Sequence, residues 1–463
     1  MAHQFEQRKT NSKAGPNKEI LYESAPKLPY EGFFKLFGLL SSGLDQEPRF
    51  GPIKADRTTV KVRRFYCQIV TAMLWFFTVR GFILMFIDDR GIQIIMGDIS
   101  GFWHDYRMYY LMPQFYYALS CALVATTFLY KEREYSWLIP FVTISQHQTT
   151  SARPIPVRHS LRTNIYITFN VIIVGGVTGS MGYLYYKTAW DNMDAHTFRL
   201  WAPWLAVQVI WYFYMTGITM FTMSYFNLVT LHMESKFKAV SQEIEMLAES
   251  DPGPPGSKND DLIRLYYAHN DMCELVDESN SFWQLYLFYI IGSYIPNFCY
   301  VMYTLFFADL DTLLGIFSWF VLFHTFLVMA VLSLSAADVS TEAHAPYTSL
   351  HTLSLLQLPI DIEVNMSTFL HRVRGPTIGY SILDLFVVTN SSISNTIAAI
   401  ASYFLIVADF SRSTVNQGLL QKAAEKQANA SRIASQAASK IAGQMTKIAT
   451  TEAITSMVTK GSN

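Results

Sequence analysis

The sequence contains few charged residues for its length. Asp, Glu, Lys and Arg make up 15% of its 463 residues, whereas soluble domains carry ~25%. Hydrophobic residues make up 51%, and the mean hydropathy is +0.19. The formal net charge of −1 gives no indication of a nucleic-acid partner. The composition therefore argues against a typical soluble domain and favours a protein embedded in membrane lipid.

Cysteine pairs and catalytic motifs are also missing. The four cysteines form no CxxC pair, so we expect neither a structural zinc site nor a disulfide framework, and neither a metal nor a cofactor. The sequence contains no HExxH, GxSxG, P-loop or paired-carboxylate arrangement. We therefore predict that the protein is not an enzyme.

The sequence begins without a recognisable signal peptide. Residues 1–64 are mostly polar and basic and contain no hydrophobic signal region. We predict that they form a cytosolic amino-terminal region.

Long apolar segments are abundant, and seven of them are long enough to span a bilayer. This pattern predicts an all-α, polytopic membrane protein with seven transmembrane helices. The predicted spans are Phe65–Ile87, Tyr109–Tyr130, Thr163–Tyr186, Trp201–Leu231, Ser281–Phe307, Gly315–Ser335 and Leu383–Phe410.

The positions of lysine and arginine predict the orientation. If the amino terminus is cytosolic, the inner segments before the tail hold 23 Lys and Arg residues and the outer loops hold 4. Cytosolic loops carry the excess of positive charge, and an odd number of spans then makes the carboxyl terminus extracellular. The Ala/Ser/Lys-rich tail, 411–463, conflicts with this orientation, because it contains seven Lys or Arg residues against two Glu. Such late charges weigh less than those around the first span.

The polar stretches between the spans suggest further helices. Around 232–280, helical patterns flank the turn-rich segment Asp251–Asp260. We predict cytosolic helical extensions of the spans within 65–335, which either provide a surface for subunit contact or are simply solvated. Residues 336–382 are predicted to be a cytosolic segment before the last helix, 383–410.

The last predicted span combines an apolar composition with a polar stripe. An aspartate in a membrane helix is costly unless it faces water, another charge or a protein interior. A polar stripe ending in a carboxylate fits one wall of a cation pore, whereas the alternative is a face that packs against another helix. The stripe consists of Ser391, Asn395, Ala398, Ser402, Ile406 and Asp409.

Aromatic and polar residues also gather in the other predicted spans. Aromatic walls with a few polar groups suit a small-molecule ligand, although Tyr and Trp also collect at bilayer interfaces without any ligand. The candidate pocket residues are Tyr110, Gln114, Tyr117, Tyr183, Gln208, Trp211, Asn297, Tyr300, Trp319 and His324.

Three residues are candidates for sensing a stimulus. Arg80 lies within the first predicted span, where a cation needs a partner or a route to water. Asp88 and Asp89 lie about two turns further along, so direct pairing does not follow from the spacing. Trp75 and Trp319 lie within spans and absorb ultraviolet light, although single tryptophans usually serve packing.

Two other classes of membrane protein fit the sequence less well. In a G-protein-coupled receptor the amino terminus is extracellular, against the charge distribution, and this sequence lacks both the acidic-Arg-aromatic triplet after the third span and an NPxxY-like motif in the seventh. A transporter fold built from inverted repeats predicts a repeat with paired broken helices, which the sequence does not contain.

The end of the last span resembles a signature of the invertebrate gustatory receptor family, which is related to insect odorant receptors. That signature is Thr-Tyr, five mostly apolar residues, then Gln-Phe. Tyr403 and Phe410 match it, Ser402 replaces Thr, and Asp409 departs from Gln. Two upstream runs resemble the same family: Gly379-x-x-x-Leu383-Asp384 and His269…Leu275-Val276…Asn280-x-Phe282.

The resemblance implies a homo- or heterotetrameric ligand-gated cation channel in the plasma membrane of sensory neurons, opened by a small molecule. The last helices would line the pore, and the cytosolic extensions would form the main subunit contact. Ser402, Ile406 and Asp409 would then lie near the outer end of the pore, with Ile406 as a hydrophobic gate. A ring of four Asp409 carboxylates is our own inference, because the family usually has Gln there.

The aromatic-rich character and the divergent last motif look more like the nematode branch of that family, which includes light- and peroxide-sensing receptors, than like an insect sugar receptor. The alternative function is therefore a light- or oxidant-sensing receptor, or a regulatory subunit, that acts through partner proteins.

Overall fold

The structure is a computed structural model in which most of the membrane bundle is described. The described residues are 30–41, 57–102, 107–131, 157–249, 255–308, 310, 312–354, 360–375, 377–406, 408–409 and 432. The chain comprises two compact units, Met1–Ile397 and Ala398–Asn463.

The first unit is built almost entirely from α-helices. Its helices are α1 (Glu31–Leu36), α2 (Arg57–Leu84), α3 (Arg90–Ile95), α4 (Arg107–Lys131), α5 (Val157–Asn192), α6 (Ala195–Glu249), α7 (Pro255–Phe307), α8 (Thr312–His344), α9 (Tyr347–Ser354) and α10 (Ile360–Arg374). A short antiparallel hairpin follows, in which β1 (Ser381–Ile382) pairs with β2 (Phe386–Val387). The backbone is helical again over 390–406, and we name this helix α11.

Five helices of the described chain are long and apolar enough to cross a membrane, judged by length and composition alone. They are Thr58–Leu84, Arg162–Asn192, Ala195–Glu249, Asn259–Phe307 and Leu314–Ser354. The predicted second span lies within α4, which is not among these five.

Helices α6 and α7 are much longer than a membrane span. Helix α6 has 55 residues, which at ~1.5 Å per residue corresponds to roughly 80 Å, against a hydrocarbon core of ~30 Å. Their far ends contribute Ile244 and Leu262 to a second, smaller apolar core. That core also contains Leu350 from α9 and Phe369 from α10. The long helices therefore continue into a packed layer, and the segment around 232–280 is more than a solvated loop.

The structure corrects the start of the last span. Residues predicted to be helical from Leu383 onward form the hairpin instead, and the helix begins at residue 390. Leu383 and Asp384 adopt left-handed backbone angles, with φ of 48° and 55°, which no right-handed helix contains. A short apolar run does not by itself distinguish a strand from a buried helix.

The structure also places part of the predicted polar amino-terminal region inside the bundle. Phe34 and Phe37 of residues 30–41 are 0% and 1% exposed. The ring of Phe33 stacks on Phe221 of α6 with centroids 4.1 Å apart. Gly217 leaves room for this segment, because a Cβ there would lie 2.0 Å from the Phe37 ring. The aromatic residues of this segment therefore belong to the core, although the surrounding sequence is polar.

Candidate functional site

A cavity of about 70 Å³ lies between α4, α5, α6, α7 and α8. Most of its wall is apolar, and a few polar side chains from α4 and α8 face it. The lining residues are Tyr110, Pro113, Gln114, Tyr117, Val177, Met181, Tyr212, Met215, Val301, Thr304, Leu314, Phe317, Ser318, Phe320, Val321 and His324. An apolar wall with a small number of oriented polar groups is typical of a small-molecule site.

One side of the cavity is a hydrogen-bonded network of tyrosines. Tyr110 of α4 donates a hydrogen bond to the Tyr185 hydroxyl of α5, and its oxygen lies 3.0 Å from that of Tyr212 on α6. Gln114 Nε2 donates to Tyr212 at 2.8 Å and to Tyr185 at 3.3 Å. Because these hydroxyls are buried, the network connects three helices through polar groups that have no access to bulk water.

A second polar contact in the cavity wall pairs a tyrosine with a histidine. The Tyr117 hydroxyl of α4 lies 2.6 Å from Nδ1 and 2.8 Å from Nε2 of His324 on α8. The Tyr117 ring also stacks on Tyr294 of α7, with centroids 5.3 Å apart. Nε2 of His324 contacts the Met220 sulfur at 3.3 Å. This pair connects α4 to α8 across the cavity.

Four of the sequence candidates therefore meet in one cavity: Tyr110, Gln114, Tyr117 and His324. The structure places the other candidates elsewhere. Trp211 stacks on Phe77, with centroids 4.7 Å apart. Asn297 Nδ2 donates to Thr325 at 3.4 Å, and the Tyr300 carbonyl accepts a hydrogen bond from Thr304. Tyr183 and Trp319 are both 57% exposed.

The sequence analysis did not identify several lining residues. Tyr212 and Met215 of α6 were missed because Trp211, one position earlier, is equally apolar and aromatic, and composition alone does not give the rotation of a long buried helix. The lining residue Met181, and Tyr185 of the tyrosine network, lie in the glycine-containing stretch of α5. The signal for them is the helical phase of α5 and α6 taken together, because Tyr185 and Tyr212 meet across that contact.

Arg80 is 5% exposed and is held by polar groups and aromatic rings. Its Nε donates to the Met96 carbonyl at 2.6 Å. With the Gln208 amide turned so that its oxygen faces the guanidinium, that oxygen accepts from Nη2 at 3.0 Å and from Nη1 at 3.1 Å. The guanidinium also lies 5.4 Å from the Trp204 ring centroid. Arg80 therefore fastens the α3 loop to α6, and neither Arg80 nor Gln208 lines the cavity.

The two nearby aspartates have other partners. Asp88 accepts from Arg107 Nη1 at 3.1 Å. Asp89 caps α3 by accepting from the backbone N–H groups of Gly91 and Ile92.

The predicted pore stripe lies on an exposed helix. Ser391 and Asn395 in the first unit are exposed. In the second unit, Ser402 and Asp409 are exposed, Ile406 is 54% exposed, and Tyr403 of the family-like motif is 55% exposed. Phe410, the last residue of that motif, lies outside the described residues.

The two tryptophans considered as light absorbers have different surroundings. The Trp75 indole donates to Thr126 at 2.9 Å, a contact between α2 and α4. Trp319 is exposed on the surface of α8, and neither tryptophan lines the cavity.

The chain was compared with protein families, curated proteins and solved structures. A family model described as 7tm chemosensory receptor matches residues 29–412 of the chain. Among curated proteins, none matches the chain.

Two solved structures of the insect olfactory receptor OR5 from Machilis hrabei have a similar fold. The one in complex with eugenol has a TM-score of 0.57 and 13% identity, covering 82% of this chain and 97% of the other. The one described without eugenol has a TM-score of 0.55 and 13% identity, covering 81% and 97%. At this identity the likeness concerns the fold alone.

Proposed function

Because the chain belongs to the 7tm chemosensory receptor family, we propose that it is a ligand-gated cation channel opened by a small molecule in the α4–α8 cavity. The chain is a multi-pass membrane protein and not an enzyme. The observation that carries the proposal is the cavity itself, in which the Tyr110–Tyr212 network and the Tyr117–His324 pair are the polar groups of a mostly apolar wall.

The size of the cavity constrains the ligand. An apolar cavity of ~150 Å³ accepts benzene, and this one has about 70 Å³. A ligand with one aromatic ring therefore has to displace lining side chains such as Met215 or Met181, which are flexible. That displacement gives binding a direct mechanical effect on α5 and α6. The structural relative OR5 in complex with eugenol supports a ligand of this size class.

The exposed last helix is the proposed pore wall. In a membrane, exposed apolar residues such as Ile397 and Leu405 face lipid or another subunit at little cost. Exposed polar residues such as Asn395 and Asp409 instead require water or a partner. Four copies arranged around a water-filled axis satisfy both requirements, with Ser391, Ser402 and Ile406 on the same wall.

The remaining assignments belong to the same proposal. They are a homo- or heterotetramer of related subunits, a cytosolic amino terminus, an extracellular carboxyl terminus, and a place in the plasma membrane of sensory neurons. The charge asymmetry of the loops supports the orientation.

The structure favours the channel over the alternative of a light or oxidant sensor. All four cysteines are buried, so an oxidant has no exposed thiol to attack. Trp75 and Trp319 lie outside the cavity.

The test is whole-cell current from the chain expressed alone, under sugars, bitter compounds, small phenols such as eugenol, peroxide and ultraviolet light. We expect a cation current with a small-molecule stimulus. Met215→Trp fills the cavity and should abolish the response at unchanged surface amount. The matched control is Met246→Trp, because Met246 lies on the same helix and is 61% exposed. A Met215→Trp response equal to wild type would exclude the cavity, and silence of surface-expressed wild type would favour a regulatory subunit.

A further inference from the structure

The hairpin before the last helix is fastened to α7 by two amide side chains one turn apart. Asn280 accepts a hydrogen bond from the Ser381 N–H at 2.9 Å through Oδ1 and donates to Ser381 Oγ at 2.9 Å through Nδ2. Both ends of this amide are therefore used on one residue of β1. Ser381 is 5% exposed, so these two bonds are sheltered from competing water.

The second amide holds the turn of the hairpin. With the Gln284 amide turned so that its nitrogen faces Asp384, Nε2 donates to Oδ1 at 3.0 Å and to Oδ2 at 3.3 Å. Ser381 Oγ donates to the same Asp384 carboxylate at 3.0 Å. Leu383 and Asp384 both have positive φ, which is costly for a residue such as Leu. We name Asn280, Gln284, Ser381 and Asp384 the hairpin latch.

The base of the hairpin is buried beside the latch. Tyr380 is 0% exposed, packs edge-on against Phe226 of α6 at 5.1 Å, and its hydroxyl lies 3.2 Å from that of Ser279. The Val388 N–H donates to the Tyr380 carbonyl at 2.8 Å and closes the hairpin. This bond joins the two ends of the hairpin, at Tyr380 and Val388.

The latch lies on one of two packed routes from the cavity to the last helix. The other is α8, whose Thr341 accepts a hydrogen bond from Asn390, the first residue of α11, at 3.3 Å. Helix α7 lines the cavity at Val301 and Thr304 and holds the hairpin at Asn280 and Gln284. Helix α11 begins at residue 390, directly after Val388 and Thr389. A shift of α7 along its axis therefore moves β1, and the short connection leaves little slack before α11.

We propose that Asn280 and Gln284 are positioning residues for channel opening, which couple movement of α7 to α11 through Ser381 and Asp384. The proposal rests on the ligand-gated function proposed above. Asn280 and Asp384, one position from each of the two family-like runs, both belong to the latch.

The test separates ligand binding from opening. Asn280→Ala removes both bonds to Ser381 and should lower the maximal ligand-evoked current per surface channel at least about fivefold, the lower end of ordinary coupling between sites. The dissociation constant for the ligand, measured by displacement of a labelled ligand from purified full-length protein, should stay unchanged. Ser381→Ala keeps the backbone bond and should give a smaller loss. The matched control is Asn270→Ala, because Asn270 on α7 bonds only to Glu274 among the described residues.

Three results would overturn the latch. One is a wild-type maximal current per channel in Asn280→Ala. Another is a fall in total current that is fully accounted for by fewer channels at the surface, which indicates a structural role. The third is an equal loss in Asn270→Ala. If Asn280→Ala does not reach the surface, the milder Ser381→Ala decides by the same measurements. A wild-type protein without any ligand-evoked current would instead refute the proposed function, so the two failures are distinguishable.

Discussion

Polar side chains are buried around the cavity and exposed on the last helix. Around the cavity, Tyr110 and Tyr185 are 3% and 2% exposed, and their hydroxyls bond to groups on other helices. On the last helix, Ser402 is exposed and its hydroxyl bonds to the Ala398 carbonyl of the same helix. The polar groups around the cavity are thus covered by neighbouring helices, whereas those of the last helix are not covered by any other part of the chain that the structure describes. This difference agrees with the proposal that the first region holds a small molecule and that the second meets water or further copies.

The largest expected effect is on the stability of the fold, through the packing of segment 30–41 against α6. Gly217→Ala places a Cβ 2.0 Å from the Phe37 ring, so the segment 30–41 has to move, at a cost of roughly 3 kcal/mol, the upper end for overpacking. Gly179→Ala is the matched control, because nothing lies within 4 Å of a Cβ there. Thermal unfolding of the purified full-length chain should show a lower midpoint for Gly217→Ala only. Equal midpoints for both variants would show that α6 does not pack this segment.

A smaller effect should follow from opening the tyrosine network. Tyr212→Phe removes a hydroxyl that lies 3.0 Å from Tyr110 and 2.8 Å from Gln114, and we expect a loss of about 1 kcal/mol in unfolding free energy. Tyr183→Phe is the control, because its hydroxyl belongs to a side chain that is 57% exposed. Denaturant titration of both variants measures the difference. The same loss in Tyr183→Phe would mean that the network contributes nothing specific.

The last helix should respond in ion preference and not in stability. Asp409→Asn removes an exposed carboxylate, and exposed ion pairs contribute ~0.2–1 kcal/mol, so we expect a roughly 1.4-fold to fivefold fall in cation preference. Reversal potentials in salt gradients measure this preference, and surface expression should not change. Ser394→Ala is the control, because Ser394 is on the same helix and bonds only to the Asn390 carbonyl among the described groups. Unchanged reversal potentials would remove Asp409 from the pore.

The smallest effect should come from the first turn of α6. Thr197 and the N–H groups at this turn donate to Asp194 and lower the pKa of that carboxyl. A lowered pKa stabilises the fold above the unfolded pKa of about 3.8, and this contribution disappears as pH falls through the folded pKa. The midpoint of thermal unfolding should therefore be slightly lower for Asp194→Ala than for wild type at pH 7. In strong acid the two midpoints should coincide. A difference that persists in strong acid would assign the effect to something other than the carboxylate.

Much of the fold follows from the sequence because long apolar runs have few alternatives. The prediction of an all-α membrane protein that is not an enzyme is confirmed by the family match. The start of the last helix was wrong because Leu385–Val388 is an apolar run that continues into the helix, and the backbone angles at Leu383 and Asp384 reveal the turn before it. The buried segment 30–41 was missed because its aromatic residues stand within a polar region.

The cavity was only partly predictable for a different reason. Tyr117 and His324 were found because each places an aromatic ring with a polar tip within an apolar run. On α6, Trp211 and Tyr212 are adjacent, and a rotation of one residue, about 100°, exchanges which of them faces the cavity. That rotation depends on what packs on the far side of α6, including Phe37, which lies in a distant part of the sequence.

The buried position of residues 30–41 has a consequence for how the chain is made. Phe33 leaves the ribosome early, but its stacking partner Phe221 is synthesised roughly 190 residues later. At ~5–20 residues per second, this delay lasts on the order of 10–40 s. During that time the aromatic segment has no native groove. The first part of the bundle to be synthesised is therefore among the last to be packed, and assembly of this receptor has to wait for α6.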